Sequence, residues 1–266
     1  MASVVQSQRR LIMFVDMESY SRNDDVGQFH AQKNFRKIMR EAADLCGLDR
    51  SGWTVQATGD GEFAIFPPGT SEPRIVAELV PAMERVLRDH NRQASDHARI
   101  RMRVAMHQGL VALAENGFAG KAVVTAARLV NAEPLRDALG SFPDAAVALI
   151  VSDTIHRDVV SQSYSGIRPD RFRRVRVEVK SFVDEAWIFV PDENVNCTPM
   201  DPPADRRSGA RRRAEKAKQP SAGRTSGSRF DFGTVTNNGP TVYGDNGRAY
   251  GSHAAWREEE DEEDGS

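Results

Sequence analysis

Five consecutive apolar side chains closed by an aspartate, Leu11-Ile12-Met13-Phe14-Val15-Asp16, constrain this chain more than any other segment. A run of that length fits a buried strand, so Asp16 sits where the strand leaves the core. A second aspartate, Asp60, stands in Thr58-Gly59-Asp60-Gly61-Glu62-Phe63, a tight turn between two apolar stretches. A carboxylate at the end of a buried strand and another in a neighbouring hairpin can hold divalent cations at one point. Hard cations of the magnesium type are bound by one or two carboxylates together with the phosphates of a nucleotide. A nucleoside triphosphate is therefore the first substrate to consider.

The rest of the composition narrows the class without adding chemistry. With 266 residues there is room for one sizeable domain and additional chain. The formal net charge of −2 gives no reason to expect nucleic-acid or membrane binding. No apolar run approaches the roughly 18 residues that span a bilayer. The apolar stretch after Met1–Arg10 is too short for a secretory signal core. Cys46 and Cys197 are far apart and fit no metal-ligand spacing, which points to a reduced, cytoplasmic protein.

Residues 9–191 read as the folded part. A strand over 10–16 is followed by a helix over 28–47, with Phe29, Phe35, Ile38, Met39, Ala42, Leu45 and Cys46 at helical spacing. Two strands, 53–57 and 62–66, flank the Asp60 turn. A second amphipathic helix covers 75–90. Residues 99–107 alternate Ile100, Met102, Val104 and Met106 with Arg99, Arg101 and Arg103, a strand with one basic face expected to meet solvent or a second copy. A helix over 121–132, a strand over 147–151, a short helix opened by Ser152 and a hairpin over 172–190 complete the order. The fold class is α+β, with one mostly antiparallel sheet and helices packed on one side.

The character changes after Pro191. Residues 192–228 hold several prolines and the cluster Arg211-Arg212-Arg213, and read as a disordered basic linker. Residues 229–266 contain two short β-prone pieces, Thr234-Val235-Thr236 and Thr241-Val242-Tyr243, around an Asn-Asn-Gly-Pro turn, and end in the acidic run Glu258–Asp264. Such Asn-rich pieces can stack between chains, so a homotypic or partner-binding motif is one reading and a solvated tail the other.

Four segments line up in order: Phe14-Val15-Asp16-Met17-Glu18-Ser19-Tyr20-Ser21; Ala57 to Phe66; Arg101-Met102-Arg103-Val104-Ala105-Met106-His107-Gln108-Gly109; and Gly120-Lys121-Ala122-Val123-Val124-Thr125-Ala126-Ala127-Arg128-Leu129. Together they resemble the catalytic domain of class III nucleotidyl cyclases across residues 9–191. The resemblance implies a ferredoxin-like core and a head-to-tail homodimer with its sites at the interface. It implies two Mg²⁺ or Mn²⁺ ions per site on Asp16, Asp60 and the backbone carbonyl of Met17. Arg128 matches the arginine that stabilises charge on the α-phosphate, Lys180 resembles a late lysine near the polyphosphate, and Phe14 lies beside the substrate. The amides from Glu18 to Tyr20 are candidates to cradle phosphate oxygens.

Three positions depart from the family pattern. Gln56, four residues before Asp60, replaces the lysine that reads adenine. Val124, four before Arg128, replaces an asparagine that orients the ribose. Gly117, seven before Val124, replaces an aspartate that completes adenine recognition. Gln56 offers one donor and one acceptor, which suits the edge of uracil, or of cytosine with its amide flipped. The segments thus resemble the pyrimidine cyclases of Pycsar antiphage defence. That resemblance implies synthesis of cyclic UMP from UTP during phage infection and a downstream effector protein activated by the cyclic nucleotide. A cytidylate cyclase and a catalytically silent nucleotide-binding and assembly module are the alternatives.

Overall fold

The computed structural model describes residues 7–114 and 117–197. The basic linker expected up to residue 228 lies, beyond residue 197, outside the described residues, as do the 229–266 motif and acidic run. In chain order the elements are β1 (Ser7–Met17), α1 (Asp25–Leu45), β2 (Thr54–Ala57), β3 (Gly61–Ile65) and α2 (Glu72–Arg74), which runs through a π-turn over Ile75–Leu79 into α3 (Val80–Gln93). There follow β4 (Met102–Ala114), β5 (Gly117–Ala119), α4 (Lys121–Val130), α5 (Glu133–Ser141), β6 (Val147–Ser152), α6 (Asp153–Asp158), β7 (Arg173–Val179) and β8 (Phe182–Phe189). Among the described residues no helix is long and apolar enough to cross a membrane.

Alternation in β1 explains its central place in the sheet. Leu11, Met13, Val15 and Met17 point to one face and Ile12 and Phe14 to the other, so both faces of the strand need cover. The strand order is β2-β3-β1-β4-β6-β8-β7, with β5 added beside β4. Every pairing is antiparallel except β4 with β6. The sheet is thus mostly antiparallel, as expected.

On the first face, α1 and α3 bury Phe35, Ile38, Met39, Met83 and Leu87 against the odd-numbered residues of β1. This is the helical layer the sequence implies. The second face carries further cover. Ala122 and Ala126 of α4 meet Ile12, Phe63 and Ile65, and Leu135, Ala138 and Leu139 of α5 meet Ala105, Ala148 and Ile150. In α1, Phe29 and Leu45 are 66% and 61% exposed, contrary to the inward placement expected of them. Phe29 lies six residues from Phe35, about 240° round the helix, and in the last turn buried Cys46 takes the inward place. Ser152 caps α6 as anticipated, accepting from the Ile155 amide.

Candidate active site

The apolar run of β1 delivers Asp16 to the strand's penultimate residue, where it pairs with Gly61 of β3 on one side and Arg103 of β4 on the other. The turn before β3 closes through the Thr58 amide and the Gly61 carbonyl at 3.0 Å, with Gly59 at φ +85°. The Met17 amide donates to the Asp60 carbonyl at 2.9 Å, so the turn is fastened to the end of β1. At Gly61 a Cβ would lie 1.9 Å from the Val15 carbonyl oxygen. Only glycine lets the two strands approach this closely, which brings the Asp60 turn beside Asp16. Gln32 of α1 braces the turn from behind, donating to the Gly59 carbonyl at 2.9 Å and to the Tyr20 hydroxyl at 2.8 Å.

Asp16 and Asp60 are close enough to share a proton, and the carboxyl of Asp16 is pushed up to about 7. Burial is the largest cause; Arg103 pulls the value down and Asp60 pushes it up again. Arg103 is ion-paired to Asp16, with side chains 14% and 15% exposed. Its Nε is buried without a hydrogen-bond partner. Arg136 of α5 lies in the same field: burial, then Arg103, lowers its pKa while Asp16 raises it. Arg101 donates to Glu18 at 2.9 Å and to the carbonyls of Leu139, Phe142 and Ala145 at the end of α5.

The expectation of a solvated basic face on this strand is therefore corrected. It holds for Arg99, whose side chain is 58% exposed, but Arg101 and Arg103 are tied into the site by the β1–β4 register. The only sequence signal for this was Arg recurring at every second residue opposite an apolar face. The phosphate cradle also contracts, because the Glu18 amide is spent on the Arg101 carbonyl at 2.8 Å. Of the three amides expected to cradle phosphate, those of Ser19, at φ +60°, and Tyr20 stay candidates.

The donors here are all oxygen: two carboxylates and the Met17 carbonyl. Among the described residues no group of three Asp, Glu, His or Cys side chains forms a metal cluster. Two facing carboxylates, one held partly protonated by burial and by its neighbour, fit a hard divalent ion that keeps other ligands from substrate and water. Asp16, Asp60 and Met17 are the residues that would hold it.

The remaining predicted residues fall into a row and a cluster. Phe14 and Gln56 both pair with Phe63, so all three share a face with Asp16. The Phe14 and Phe63 rings are 4.7 Å apart, and Phe118 of β5 follows at 6.4 Å from Phe63. Gln56 is exposed at the end of this row, and Gly117 opens β5. Val124, 49% exposed, lies one turn before Arg128 on α4. The Arg128 guanidinium stands 5.3 Å over the Phe182 ring, and Phe182 closes the two-residue turn that carries Lys180. Arg128 and Lys180 thus gather at one end of the β7–β8 hairpin, while no ion pair or hydrogen bond among the described residues joins Arg128 to Asp16 or Asp60.

No family model matches this chain, and no curated protein matches it. Among solved structures it is similar to an adenylate/guanylate cyclase/hydrolase from Silicibacter pomeroyi, at 22% identity and a TM-score of 0.52, covering 71% of this chain and 99% of the other. The catalytic core of a rhodopsin-guanylyl cyclase with converted specificity, in complex with ATPαS, gives 15% identity and a TM-score of 0.46 over 71% and 99% of the two chains, too distant to carry an argument. Likeness at this level of identity speaks to architecture, and on that ground the described part of the chain has the fold of an adenylate/guanylate cyclase domain.

Proposed function

We propose that this chain is a uridylate cyclase, converting UTP to 3′,5′-cyclic UMP and pyrophosphate at sites shared between two copies of the chain. The observation that carries the reading is the single sheet face on which Asp16, Arg103, Phe14 and Gln56 follow one another. It supplies a metal-binding end, an aromatic middle and an amide that both donates and accepts. The placement of Arg128 over Phe182, with no ion pair or hydrogen bond to Asp16 or Asp60 among the described residues, supports a composite site. Exposed Leu110 and Val124 offer apolar surface for the second copy.

In the reaction the ribose 3′-oxygen attacks the α-phosphorus, the bond from that phosphorus to the bridging oxygen breaks, pyrophosphate leaves and the 3′-hydroxyl proton passes to solvent. Two divalent ions, Mg²⁺ or Mn²⁺, would lower the pKa of the hydroxyl and neutralise the triphosphate. Deprotonated Asp16, with Asp60 and the Met17 carbonyl, would hold the cation, and the Arg103 fork beside Asp16 would be placed to meet polyphosphate oxygens. Arg128 from the second copy meets charge developing on the α-phosphate, an interaction worth roughly 10³-fold or more in rate, and Lys180 adds charge at the polyphosphate. Gln56 reads the pyrimidine edge with one donor and one acceptor.

Incubation with all four triphosphates and Mn²⁺ tests the reading: cyclic UMP is expected, and a product from ATP alone would overturn it. Asp60→Ala and Arg128→Ala should each be inactive and, mixed, recover part of the activity. The motif resemblance to pyrimidine cyclases of antiphage systems supports a signalling role with a cyclic-nucleotide-activated effector as partner. Val124, with no polar group where the family carries asparagine, favours a second reading, a silent nucleotide-binding module. Turnover that disappears in Asp60→Ala would exclude that one.

A further inference from the structure

On the other face of the sheet, behind the turn that carries Asp60, α1 and the β2–β3 hairpin border a cleft of about 840 Å³. Val55 and Ala57 line it while Gln56 between them points away, and Glu62 lines it while Phe63 points away. The cleft therefore opens on the sheet face opposite Asp16, Phe14 and Gln56, and at one end it reaches Met17, Tyr20 and the glycines of the Asp60 turn. Its size falls within the range of about 300–1,000 Å³ common for small-molecule sites.

Three arginines line it, Arg36, Arg40 and Arg50, against one carboxylate, Glu62. Arg36 and Arg40 stand one turn apart on α1, both exposed, with no ion pair or hydrogen bond among the described residues. Arg50 donates through Nη2 to Glu62 Oε2 at 2.8 Å and lies 4.9 Å over the Trp53 ring. The other halves of this pair, Arg50 Nη1 and Glu62 Oε1, are buried without a hydrogen-bond partner, and the Glu62 side chain is 4% exposed. An unmet buried donor beside an unmet buried acceptor is unfavourable unless something completes both. Two free guanidinium groups at the rim suit phosphate oxygens, and Val55 and Phe35 give an apolar wall between rim and floor.

We infer that this cleft binds a nucleotide on the sheet face opposite Asp16, Phe14 and Gln56, with its phosphate on Arg36 and Arg40 and a base or sugar donor directed at Glu62. A nucleotide is the small-molecule class that joins an anion, a flat apolar body and N–H or O–H donors in one ligand. Gln32, on the same helix face, holds the Gly59 carbonyl of the Asp60 turn, so the occupied cleft bears on that turn. This regulatory consequence rests on the cyclase reading; the binding itself does not.

The test is calorimetric titration of the full chain carrying Asp60→Ala, in EDTA, with UMP, AMP and inorganic phosphate. At least one of the two nucleotides should bind with one site per chain. Arg36→Ala/Arg40→Ala should weaken it at least about tenfold, the loss of one charge-assisted contact or more, and its melting temperature should match the parent's because both side chains are exposed. Inorganic phosphate should bind at least about tenfold more weakly than the nucleotide. Absence of nucleotide binding, equal binding by the double variant, or phosphate binding as tight as the nucleotide's would each overturn the inference. Because no metal or turnover is involved, its failure leaves the cyclase reading standing, and a chain inactive on all four triphosphates leaves this one standing.

Discussion

Gly61→Ala loads the tightest of the described glycine positions directly. The added Cβ would sit 1.9 Å from the Val15 carbonyl oxygen and 3.0 Å from the Asp16 Cα, both backbone atoms that cannot rotate away. Ordinary contact begins at 3.4 Å, so β3 must withdraw from β1 by 3.4 − 1.9 = 1.5 Å beside the two carboxylates. Overpacking of this kind costs about 1–3 kcal/mol, which for a domain of this size is a fall of roughly 2–12 °C in melting temperature. The functional effect is the sharper readout, because a misplacement of about 1 Å at reacting groups costs about 10²-fold. The assay is cyclase turnover with each triphosphate alongside a thermal melt, with Gly140→Ala as the comparison. Gly140 lies in α5, where an added Cβ would meet nothing within 4 Å and the backbone angle is ordinary, so alanine there should raise stability by about 0.5–1 kcal/mol. A Gly61→Ala chain that melts with the parent and keeps activity within twofold would refute the close-approach argument.

Three further outcomes follow from named contacts. Glu84 is buried and accepts from the Ala146 and Val147 amides at 2.9 and 2.8 Å and from the half-exposed Arg88 at 2.9 Å, so Glu84→Ala, which leaves two buried amides unpaired at about 1–3 kcal/mol each, should lower stability by at least about 2 kcal/mol in denaturant melts, with Glu84→Gln retaining part of it. The pKa of Asp16 is raised in the folded state from 3.8 to about 7, so the native protein holds the extra proton. Its contribution to metal-free stability is therefore greatest below about pH 4 and declines as pH rises to about 7; melts in EDTA across this range should show that slope in the parent and not in Asp16→Asn. For the same reason metal binding near pH 6 should release about one proton, read as a dependence of the binding heat on the ionisation heat of the buffer.

Much of the sheet could be read from periodicity, because alternation along a strand and recurrence along a helix are local properties. The run ending at Asp16 marked β1, the Thr-Gly-Asp-Gly segment marked the β2–β3 turn, and Ser152 marked the start of α6. Phe29 and Leu45 show where that reasoning stops: both fit a helical pattern, and their exposure depends on what the helix meets. The extension of β4 to Ala114 and the helix α5 had no comparable signal, since Glu133–Ser141 carries a short and weakly apolar stripe.

The candidate site divides along the same line. The identity of the carboxylates, the glycines around Asp60 and the glutamine at position 56 are properties of the amino-acid sequence alone, because strand ends and tight turns are specified by adjacent residues. What Arg103 does was decided by tertiary structure: the β1–β4 register sets it opposite Asp16, and burial then binds the two charges together. Tertiary structure also put Phe14, Gln56 and Asp16 on one face and the Arg36–Arg40–Arg50 cleft on the other. Such placements rest on pairings between distant segments, and in a sheet of period two a shift of one residue would have sent each of these side chains to the opposite side.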